Sequence, residues 1–285
     1  MLEARAAALA SRSIKTSAKR AGIDLAIACV DLTTLEGCDT PGRVRSLCTR
    51  AMHPDPSDPT VGHVGAVCVY PNLVAVARET LGSSAVHLAS VATAFPSGQA
   101  NIGVKLADTE QALEAGADEI DMVIDRGAFL SGDDRKVVAE IEAIKSVCSG
   151  RAHLKVILET GELGSYESIR RASDLALYAG ADTIKTSTGK IGTNATLPTA
   201  LVMCEAIRDF ADRTGEQRGL KVAGGVRTSK QALAYLVVVK ETLGDMWLTP
   251  DRFRIGASSL LDDLLMQRQK ERSGRYAGID YISKD

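Results

Sequence analysis

Eight short apolar segments recur along this 285-residue chain, and each is followed by a stretch with the features of a helix. The segments end in turn-forming residues, as expected of strands. Strands that alternate with helices form parallel sheets, and eight such units close into a barrel. The chain is therefore predicted to be an α/β protein with a single (β/α)8 TIM barrel. The predicted strands are 27–31, 65–70, 86–92, 119–124, 153–159, a segment ending at Lys185, 220–223 and 253–255.

The length of the chain fits one barrel with two short extensions. A barrel of this type takes ~250 residues, and 45% of the residues are hydrophobic, which suits one large core. We expect the catalytic barrel domain over residues 25–267, an N-terminal helical extension over 1–24 and a charged C-terminal tail over 268–285.

The first 20 residues permit two interpretations. They are rich in Ala, Ser, Lys and Arg and contain Glu3 as their only acid, which is typical of transit peptides. The interpretation that we favour is an N-terminal helix that covers one end of the barrel.

Composition argues against several classes of partner. The net charge is −2 and only 4% of the residues are aromatic, so the chain lacks the basic surface and the stacking platforms of nucleic-acid-binding proteins. No apolar run approaches the ~20 residues of a membrane-spanning helix. The six cysteines form no C-x-x-C pair and are interpreted as reduced thiols, which predicts a cytoplasmic protein.

A lysine closes the sixth predicted strand. Lys185 ends a short β-branched run and is followed at once by Thr-Ser-Thr-Gly-Lys. The carboxyl end of a parallel strand is where ligands bind in α/β proteins. An amine held there, away from bulk water, can lose its proton and attack a carbonyl. The alternative is a surface lysine that begins a loop.

An internal repeat relates this lysine to an aspartate. Residues 115–121 and 179–185 match at every position except the fifth and the last, and the last residues are Asp121 and Lys185. If the two segments are equivalent in the fold, the acid and the amine face one another inside the barrel. Ala-Gly-Ala-Asp is also a common connection between helix and strand, but this alternative does not explain two ionisable residues at one apolar-strand position.

Ionisable side chains are concentrated along the predicted strands and at their carboxyl ends. Lys155 alternates with Ile157 and Glu159 on the fifth strand, so it can pair with Asp121 across the lumen. Buried charges are costly unless they are paired or used. A purely structural salt-bridge network is the alternative to a catalytic site. The residues in question are Asp31, Asp121, Lys155, Glu159, Lys185, Lys190 and Lys221.

Lys185 and Lys221 lie on neighbouring predicted strands. Such strands lie ~4.8 Å apart, and two ammonium groups ~4 Å apart repel by ~4 kcal/mol at an effective dielectric constant of ~20. This corresponds to ~3 pKa units, enough to bring a lysine from ~10.4 towards neutrality. We therefore expect repulsion by one lysine to make the other a neutral nucleophile.

Two glycine turns predict an anion site. Gly224-Gly225 follows the seventh strand, and Gly256-Ala-Ser258-Ser259 follows the eighth and leads into a helix. Backbone N–H groups at such turns and at a helix N-terminus bind phosphate, and phosphate sites after strands seven and eight recur in these barrels. Tight packing at the glycines is the alternative. Together with Lys185, the turns indicate a phosphorylated carbonyl substrate.

The histidines do not favour a metal site. His53 and His63 precede the second strand, and His87 and His153 begin the third and fifth, so all four are expected at the amino-terminal face. Metal-dependent aldolases and hydrolases would place histidine ligands at the carboxyl ends. We therefore predict no metal and no cofactor.

Several motifs resemble those of the deoxyribose-phosphate aldolase family. They extend over residues 25 to 266, and the stretch around Lys185 is the most specific. The motifs are Asp31-Leu-Thr-Thr-Leu35, Val67-Cys-Val-Tyr-Pro71, Glu119-Ile-Asp121, Glu159-Thr-Gly-Glu-Leu163, Ile184-Lys-Thr-Ser-Thr-Gly-Lys190, Gly224-Gly-Val-Arg-Thr228 and Gly256-Ala-Ser-Ser-Leu260.

This resemblance implies a class I aldolase in which Lys185 forms a Schiff base and Asp121 and Lys221 handle protons. The implied reaction is the reversible cleavage of 2-deoxy-D-ribose 5-phosphate to D-glyceraldehyde 3-phosphate and acetaldehyde, in deoxynucleoside catabolism. The implied partner is a phosphorylated sugar, and a homo-oligomer is compatible with the sequence. The implied phosphate-binding residues are Thr188, Gly189, Lys190, Gly224, Gly225, Gly256, Ser258 and Ser259.

Three features depart from the family pattern. Val222 stands where many members have proline, and Ile124-Asp125-Arg126 replaces a more apolar stretch. Some members end in a tyrosine that reaches the site, whereas Tyr276 and Tyr281 are both internal, so neither is assigned a role.

Two other functions are compatible with the sequence. A transaldolase or an aldolase for longer sugar phosphates would also form a Schiff base, but it needs polar groups around the donor carbons. A non-catalytic phosphate-binding barrel would form no covalent adduct with any aldehyde.

Overall fold

The computed structural model describes residues 1–274 and contains a closed barrel of eight parallel strands. Each strand pairs with the next one in the sequence, and the last pairs with the first. This confirms the predicted (β/α)8 fold. The strands are β1 (Val30–Thr33), β2 (Ala66–Val69), β3 (His87–Ala92), β4 (Glu119–Val123), β5 (His153–Ile157), β6 (Thr183–Lys185), β7 (Gly219–Ala223) and β8 (Phe253–Ala257).

Helices surround the barrel, and several begin at side-chain caps that the sequence encodes. Thr196 and Thr228 each form a capping box, and Thr40 caps a helix with Pro41 at its first position. The helices are α1 (Leu2–Ala10), α2 (Thr16–Ala28), α3 (Pro41–Met52), α4 (Val74–Leu81), α5 (Ile102–Glu114), α6 (Arg126–Leu130), α7 (Asp134–Cys148), α8 (Tyr166–Tyr178), α9 (Leu197–Thr214), α10 (Ser229–Leu243) and α11 (Leu260–Ser273). None of these helices is long and apolar enough to cross a membrane.

Several predicted strand boundaries differ from the observed ones, and two of the differences have a clear physical cause. The first strand was expected to begin at residue 27, but α2 continues to Ala28 because Ile23, Ala26 and Ile27 form its buried face. The fifth strand was expected to reach residue 159 but ends at Ile157. Glu159 instead takes a left-handed backbone conformation with φ of 57°, which a strand does not allow.

The N-terminal extension is helical, as predicted, but it packs on the outer layer of helices. Helix α1 contacts α9 and α10, whereas α2 contacts α10 and α11. The prediction that it covers one end of the barrel is therefore wrong: it packs against the side of the barrel, on the outer helices. The predicted boundary between residues 24 and 25 falls inside α2, so the extension and the barrel share one helix.

The predicted C-terminal tail begins too early, because α11 continues to Ser273. Arg268 stabilises this end of the helix by pairing with Asp24 of α2 and with Asp58, at 2.6 Å in each case. Tyr276 and Tyr281 lie outside the residues that the structure describes.

The strand register arranges the side chains of the lumen in layers. Pairing runs from Cys68 through Ala89 to Glu119, and the next residue of β4 that faces inward is Asp121. Residues at the same height on alternate strands are thus two positions further along than the pairing partners. Repeated around the barrel, this shift returns each layer to its starting residue. The layers, from the amino to the carboxyl end, are the lower layer (Ala66, Glu119, Thr183, Arg254), the middle layer (Asp31, Ala89, Lys155, Lys221) and the upper layer (Cys68, Asp121, Lys185, Gly256).

The lumen is therefore filled with charged side chains, although bulky branched apolar residues are usual in such barrels. The apolar core lies instead between the strands and the helices, where the outward-facing residues Leu32, Ile120 and Val156 are buried. This separation leaves the lumen available for chemistry.

We expect Ile23→Ala to lower the free energy of unfolding by ~2–4 kcal/mol, because the side chain is completely buried in α2. A single shifted transition in chemical denaturation would show that the extension unfolds with the barrel. Ser17→Ala on the exposed side of α2 is the control and should change the stability little. An unchanged main transition in Ile23→Ala would mean that residues 1–24 fold separately.

Candidate active site

The centre of the upper layer is the carboxylate of Asp121, which accepts hydrogen bonds from three lysines. Its Oδ1 accepts from Lys155 Nζ at 2.6 Å. Its Oδ2 accepts from Lys185 Nζ at 2.7 Å and from Lys221 Nζ at 2.8 Å. Lys221 also contacts Asp31 Oδ2 at 2.5 Å. All five side chains are buried.

The register brings these residues together as the sequence predicted. Asp121 and Lys185 lie in the same layer on alternate strands, in agreement with the internal repeat. Lys185 of β6 is the direct pairing partner of Lys221 of β7. Lys155 pairs with Asp121, as expected from its position on the fifth strand.

The pKa of Lys185 is lowered, but repulsion by Lys221, which the sequence predicted as the cause, is not the main one. Burial is the largest effect, since it disfavours the charged amine. Asp121 opposes this shift, and the positive charge of Lys221 lowers the pKa further. Repulsion by Lys221 therefore contributes, but the removal of Lys185 from water dominates.

The other two lysines remain ammonium groups. Burial alone would lower the pKa of Lys221, but Asp121 and Asp31 raise it above its ordinary value. The pKa of Lys155 is likewise raised, because Asp121 and Glu119 outweigh its burial. Burial would raise the pKa of Asp121, but the three lysines hold it well below its usual range. Lys185 is thus the amine of this cluster that can lose its proton most easily.

One side of the lumen is apolar. Cys68, Ala89 and Val91 of β2 and β3 form a cluster with Leu35, against which the rings of Tyr70 and Phe95 pack. Burial is the main reason why the pKa of Cys68 is raised to about 12, so its thiol is protonated at neutral pH. This side of the barrel can hold small apolar groups but offers no charged ones.

All eight residues predicted to bind phosphate line one cavity. Its volume is about 220 Å³, it lies at the carboxyl ends of the strands, and Lys185 forms part of its wall. The N-terminus of α11 begins at this cavity, immediately after Ser258 and Ser259. The first N–H groups of a helix lack partners within the helix and favour an anion. Asp121 and Lys221 do not line the cavity; they lie buried beside Lys185.

Two glycines are required by their surroundings. Gly224 has a φ of 80°, and a Cβ atom there would lie 2.5 Å from Asn194 Cγ. A Cβ atom on Gly256 would lie 3.1 Å from Lys221 Cε and 3.0 Å from Ala223 Cβ. Glycine at 256 therefore leaves room in the upper layer for the lysines and for a ligand.

Glu36, which the sequence did not indicate as a site residue, places a carboxylate at the rim of the cavity. Glu36 Oε1 contacts Lys190 Nζ at 2.9 Å, and both side chains line the cavity with Arg227. An anion that binds here must compete with Glu36 for Lys190. The signal was available in the sequence, since Glu36 directly follows the motif that begins at Asp31.

Sequence analysis also missed the role of Glu159 in holding the lysine loop. Its buried carboxylate accepts from the Thr188 N–H at 3.1 Å and from the Thr188 hydroxyl. Arg126, which belongs to a segment that departs from the family pattern, contacts Glu159 at 3.3 Å. These contacts fix the backbone of residues 186–190 beside the cavity. The left-handed conformation of Glu159 could not be read from the sequence.

The histidines lie away from this cavity, as predicted. His87 and His153 are the first residues of β3 and β5 and line a cavity of about 670 Å³ at the opposite, amino-terminal mouth of the barrel. Burial and Lys155 lower the pKa of His153. Within residues 1–274, no group of three or more His, Cys, Asp or Glu side chains is arranged to hold a metal ion.

The chain is similar to proteins of known family. The model of the DeoC/LacD family aldolases matches residues 25–265. The deoxyribose-phosphate aldolase of Mus musculus is 47% identical over 278 residues, which cover 94% of this chain and 87% of that protein. The deoxyribose-phosphate aldolase of Homo sapiens is 44% identical over a stretch with the same coverage of both chains.

A solved structure shares the architecture as well. The tetrameric deoxyribose phosphate aldolase from Aeropyrum pernix has a TM-score of 0.66 and 29% sequence identity, over 89% of this chain and 93% of that one. The family model spans the whole barrel, from the end of α2 into α11. The chain therefore belongs to the DeoC/LacD family of aldolases.

Proposed function

We propose that this aldolase cleaves 2-deoxy-D-ribose 5-phosphate reversibly to D-glyceraldehyde 3-phosphate and acetaldehyde, through a Schiff base on Lys185. The observation that carries the proposal is the position of Lys185: the amine of lowered pKa in the lysine cluster lies in the wall of a cavity built from two glycine turns and a helix N-terminus. The relatives named above are deoxyribose-phosphate aldolases, which supports this substrate.

The chemistry begins with attack of the neutral Lys185 amine on the aldehyde carbon, C1, of the open-chain sugar. Loss of water from the carbinolamine gives an iminium ion. Removal of the proton from the C3 hydroxyl then breaks the C2–C3 bond, the electron pair passes to the iminium, and glyceraldehyde 3-phosphate leaves. Protonation of the enamine at C2 and hydrolysis by one water release acetaldehyde and restore the lysine.

The shared carboxylate suits the proton transfers of this cycle. Lys185 and Lys221 both donate to Oδ2 of Asp121, so two hydrogen bonds through one oxygen connect the two nitrogens, and a proton can be relayed between them. Lys221 is held as an ammonium by two carboxylates and can protonate the leaving hydroxyl of the carbinolamine. Asp121 stays ionised and holds both amines in place.

The cavity and the apolar side of the lumen suit the two ends of the substrate. We assign the 5-phosphate to the glycine turns, the N-terminus of α11 and Lys190, where N–H groups and a cation are available. We assign the two donor carbons to the apolar side around Cys68 and Ala89. A transaldolase or an aldolase for longer donors would need polar partners for hydroxyl groups on those carbons, which this side lacks.

We also propose that the protein works in the cytoplasm as a homo-oligomer. All six cysteines are free and five are buried, which fits a reducing compartment. The relative from Aeropyrum pernix is tetrameric.

Treatment with acetaldehyde and borohydride should leave an ethyl group on Lys185, as measured by peptide mapping. Lys185→Arg should keep the fold but lose turnover and labelling, because a guanidinium does not become a neutral nucleophile in proteins. Lys145→Arg, at a lysine outside the cavity that pairs with Asp182, is the matched control and should be labelled normally. An adduct found only on Lys190 or Lys221 would refute the assignment.

Ser258→Asp should raise KM for the phosphorylated sugar on the order of 10-fold, because it places a carboxylate where the phosphate is proposed to bind, in a site partly screened by solvent. Activity on unphosphorylated deoxyribose should fall much less. Ser258→Asn has nearly the same shape without the charge and serves as the control. Equal losses with both substrates would place the phosphate elsewhere.

Lys221→Met should move the pH profile of Schiff-base formation to higher pH. The charge of Lys221 lowers the pKa of Lys185, so its removal raises that pKa and leaves less neutral amine at pH 7. Loss of proton transfer alone would lower the rate by ~10²–10⁴ without moving the profile. The rate of adduct formation with acetaldehyde, followed against pH in both proteins, separates the two effects, and an unmoved profile would leave Lys221 as a proton carrier only.

A further inference from the structure

The three layers of the lumen contain one more cation than carboxylates. The cations are Lys155, Lys185, Lys221 and Arg254, and the carboxylates are Asp31, Glu119 and Asp121. Each of these side chains is at most 5% exposed. An unbalanced charge is expensive among side chains buried to this extent. The lumen becomes neutral when one of the four cations gives up a proton.

These charges form a continuous chain from the amino-terminal mouth to the catalytic amine. At the mouth, Arg254 Nη2 donates to Glu119 Oε1 at 3.1 Å, and Arg254 Nε donates to the Pro250 carbonyl. Lys155 Nζ lies 2.6 Å from Glu119 Oε2 and 2.6 Å from Asp121 Oδ1. Lys185 Nζ completes the chain at Asp121 Oδ2.

The contacts also decide which cation loses its proton. Lys155 has two carboxylates, Glu119 and Asp121, and Lys221 has Asp31 and Asp121. Arginine does not deprotonate in proteins. Lys185 has a single carboxylate, which it shares with the two other lysines. It is therefore the least compensated cation among those in the lumen.

We propose that Arg254 and Glu119 are positioning residues of opposite sign, which act through Lys155 and Asp121 to set whether Lys185 carries a proton. The inference rests on the proposed Schiff-base function and extends it to a pair of residues at the other end of the barrel. Glu119 competes with Asp121 for the ammonium group of Lys155. Arg254 weakens the attraction of Glu119 for Lys155, because it pairs with the other oxygen of Glu119. How fully Asp121 is available to Lys185 depends on this balance.

The other groups that face Lys185 keep their charge in this scheme. Asp121 faces it from β4, Lys155 from β5, Lys221 from β7 and Asp31 from β1. From β2 it is faced by the neutral thiol of Cys68. The inward residues of β3 and β8 at this height, Ala89, Val91 and Gly256, carry no charge, and Lys190 of the cavity rim is paired with Glu36.

Neutral variants of the two residues should move the catalytic pH profile in opposite directions. Arg254→Met removes a positive charge, so protonated Lys185 is tolerated better and its pKa rises. Glu119→Gln removes a negative charge and releases Lys155 to Asp121, so the pKa of Lys185 falls. The lower and upper layers are two residues apart along a strand, which is ~7 Å at ~3.3 Å per residue, and Coulomb's law at a dielectric constant of ~20 then gives shifts on the order of one pH unit.

The experiment is the pH dependence of ethyl-adduct formation on Lys185 with acetaldehyde and borohydride, measured in the same buffers for each protein. We expect a shift to higher pH in Arg254→Met, to lower pH in Glu119→Gln, and a profile close to the original in the double variant. Arg254→Lys keeps the charge and should keep the profile. Arg252→Met is the control, since Arg252 lines the same mouth but donates to the Met246 carbonyl instead of pairing with Glu119.

A purely structural role would give a different result. Lower rates or lower thermal stability in both variants, with unmoved profiles, would overturn the inference, and so would shifts in the same direction. If Arg254→Met fails to fold, the shift in Glu119→Gln decides alone. Absence of any adduct in the unmodified protein would refute the proposed Schiff base itself, so the two failures are distinguishable.

Discussion

The arrangement of the candidate active site depends on one interaction, in which the carboxylate of Asp121 accepts hydrogen bonds from three buried lysines. Burying an ammonium group costs several kcal/mol unless it is paired, and here a single carboxylate serves three of them. Asp31 and Glu119 compensate Lys221 and Lys155, so the deficit is concentrated on Lys185. A network in which one buried amine lacks a carboxylate of its own stabilises the fold little, but it favours a neutral amine that can act as a nucleophile.

The architecture separates the sources of stability from the chemistry. The outward faces of the strands and the apolar faces of the helices form the large buried core, so the charged lumen does not have to hold the barrel together. The closed barrel buries the lumen side chains, which strengthens their ion pairs and favours a neutral Lys185. The loops at the carboxyl ends, fixed by contacts such as those of Glu159 with Thr188, then add the anion cavity above it.

Local sequence signals predicted the order and type of the elements well, but they misplaced the element ends that depend on contacts between residues distant in the sequence. The alternation of apolar and helical segments predicted the eight strands. The end of α2 was misjudged because the burial of Ile27 against the outer helices favours helix in a run that resembles a strand. The end of α11 was misjudged because charged residues such as Arg268 were interpreted as solvated, whereas Arg268 pairs with Asp24 and Asp58, which are distant in the chain.

The sequence by itself determined the barrel, the facing pair of Asp121 and Lys185, and the glycine turns, because strand order and two-residue alternation fix which side chains enter the lumen. Only the tertiary structure decided how the charges are shared. Lys221 contacts two carboxylates, whereas Lys185 contacts one, which it shares with two other lysines. Glu36 pairs with Lys190, and Arg254 connects to the site through Glu119. All of these contacts follow from the strand register and from the length of the side chains. The protonation state of a buried lysine is a property of its ionisable neighbours, and those of Lys185 come from six other strands.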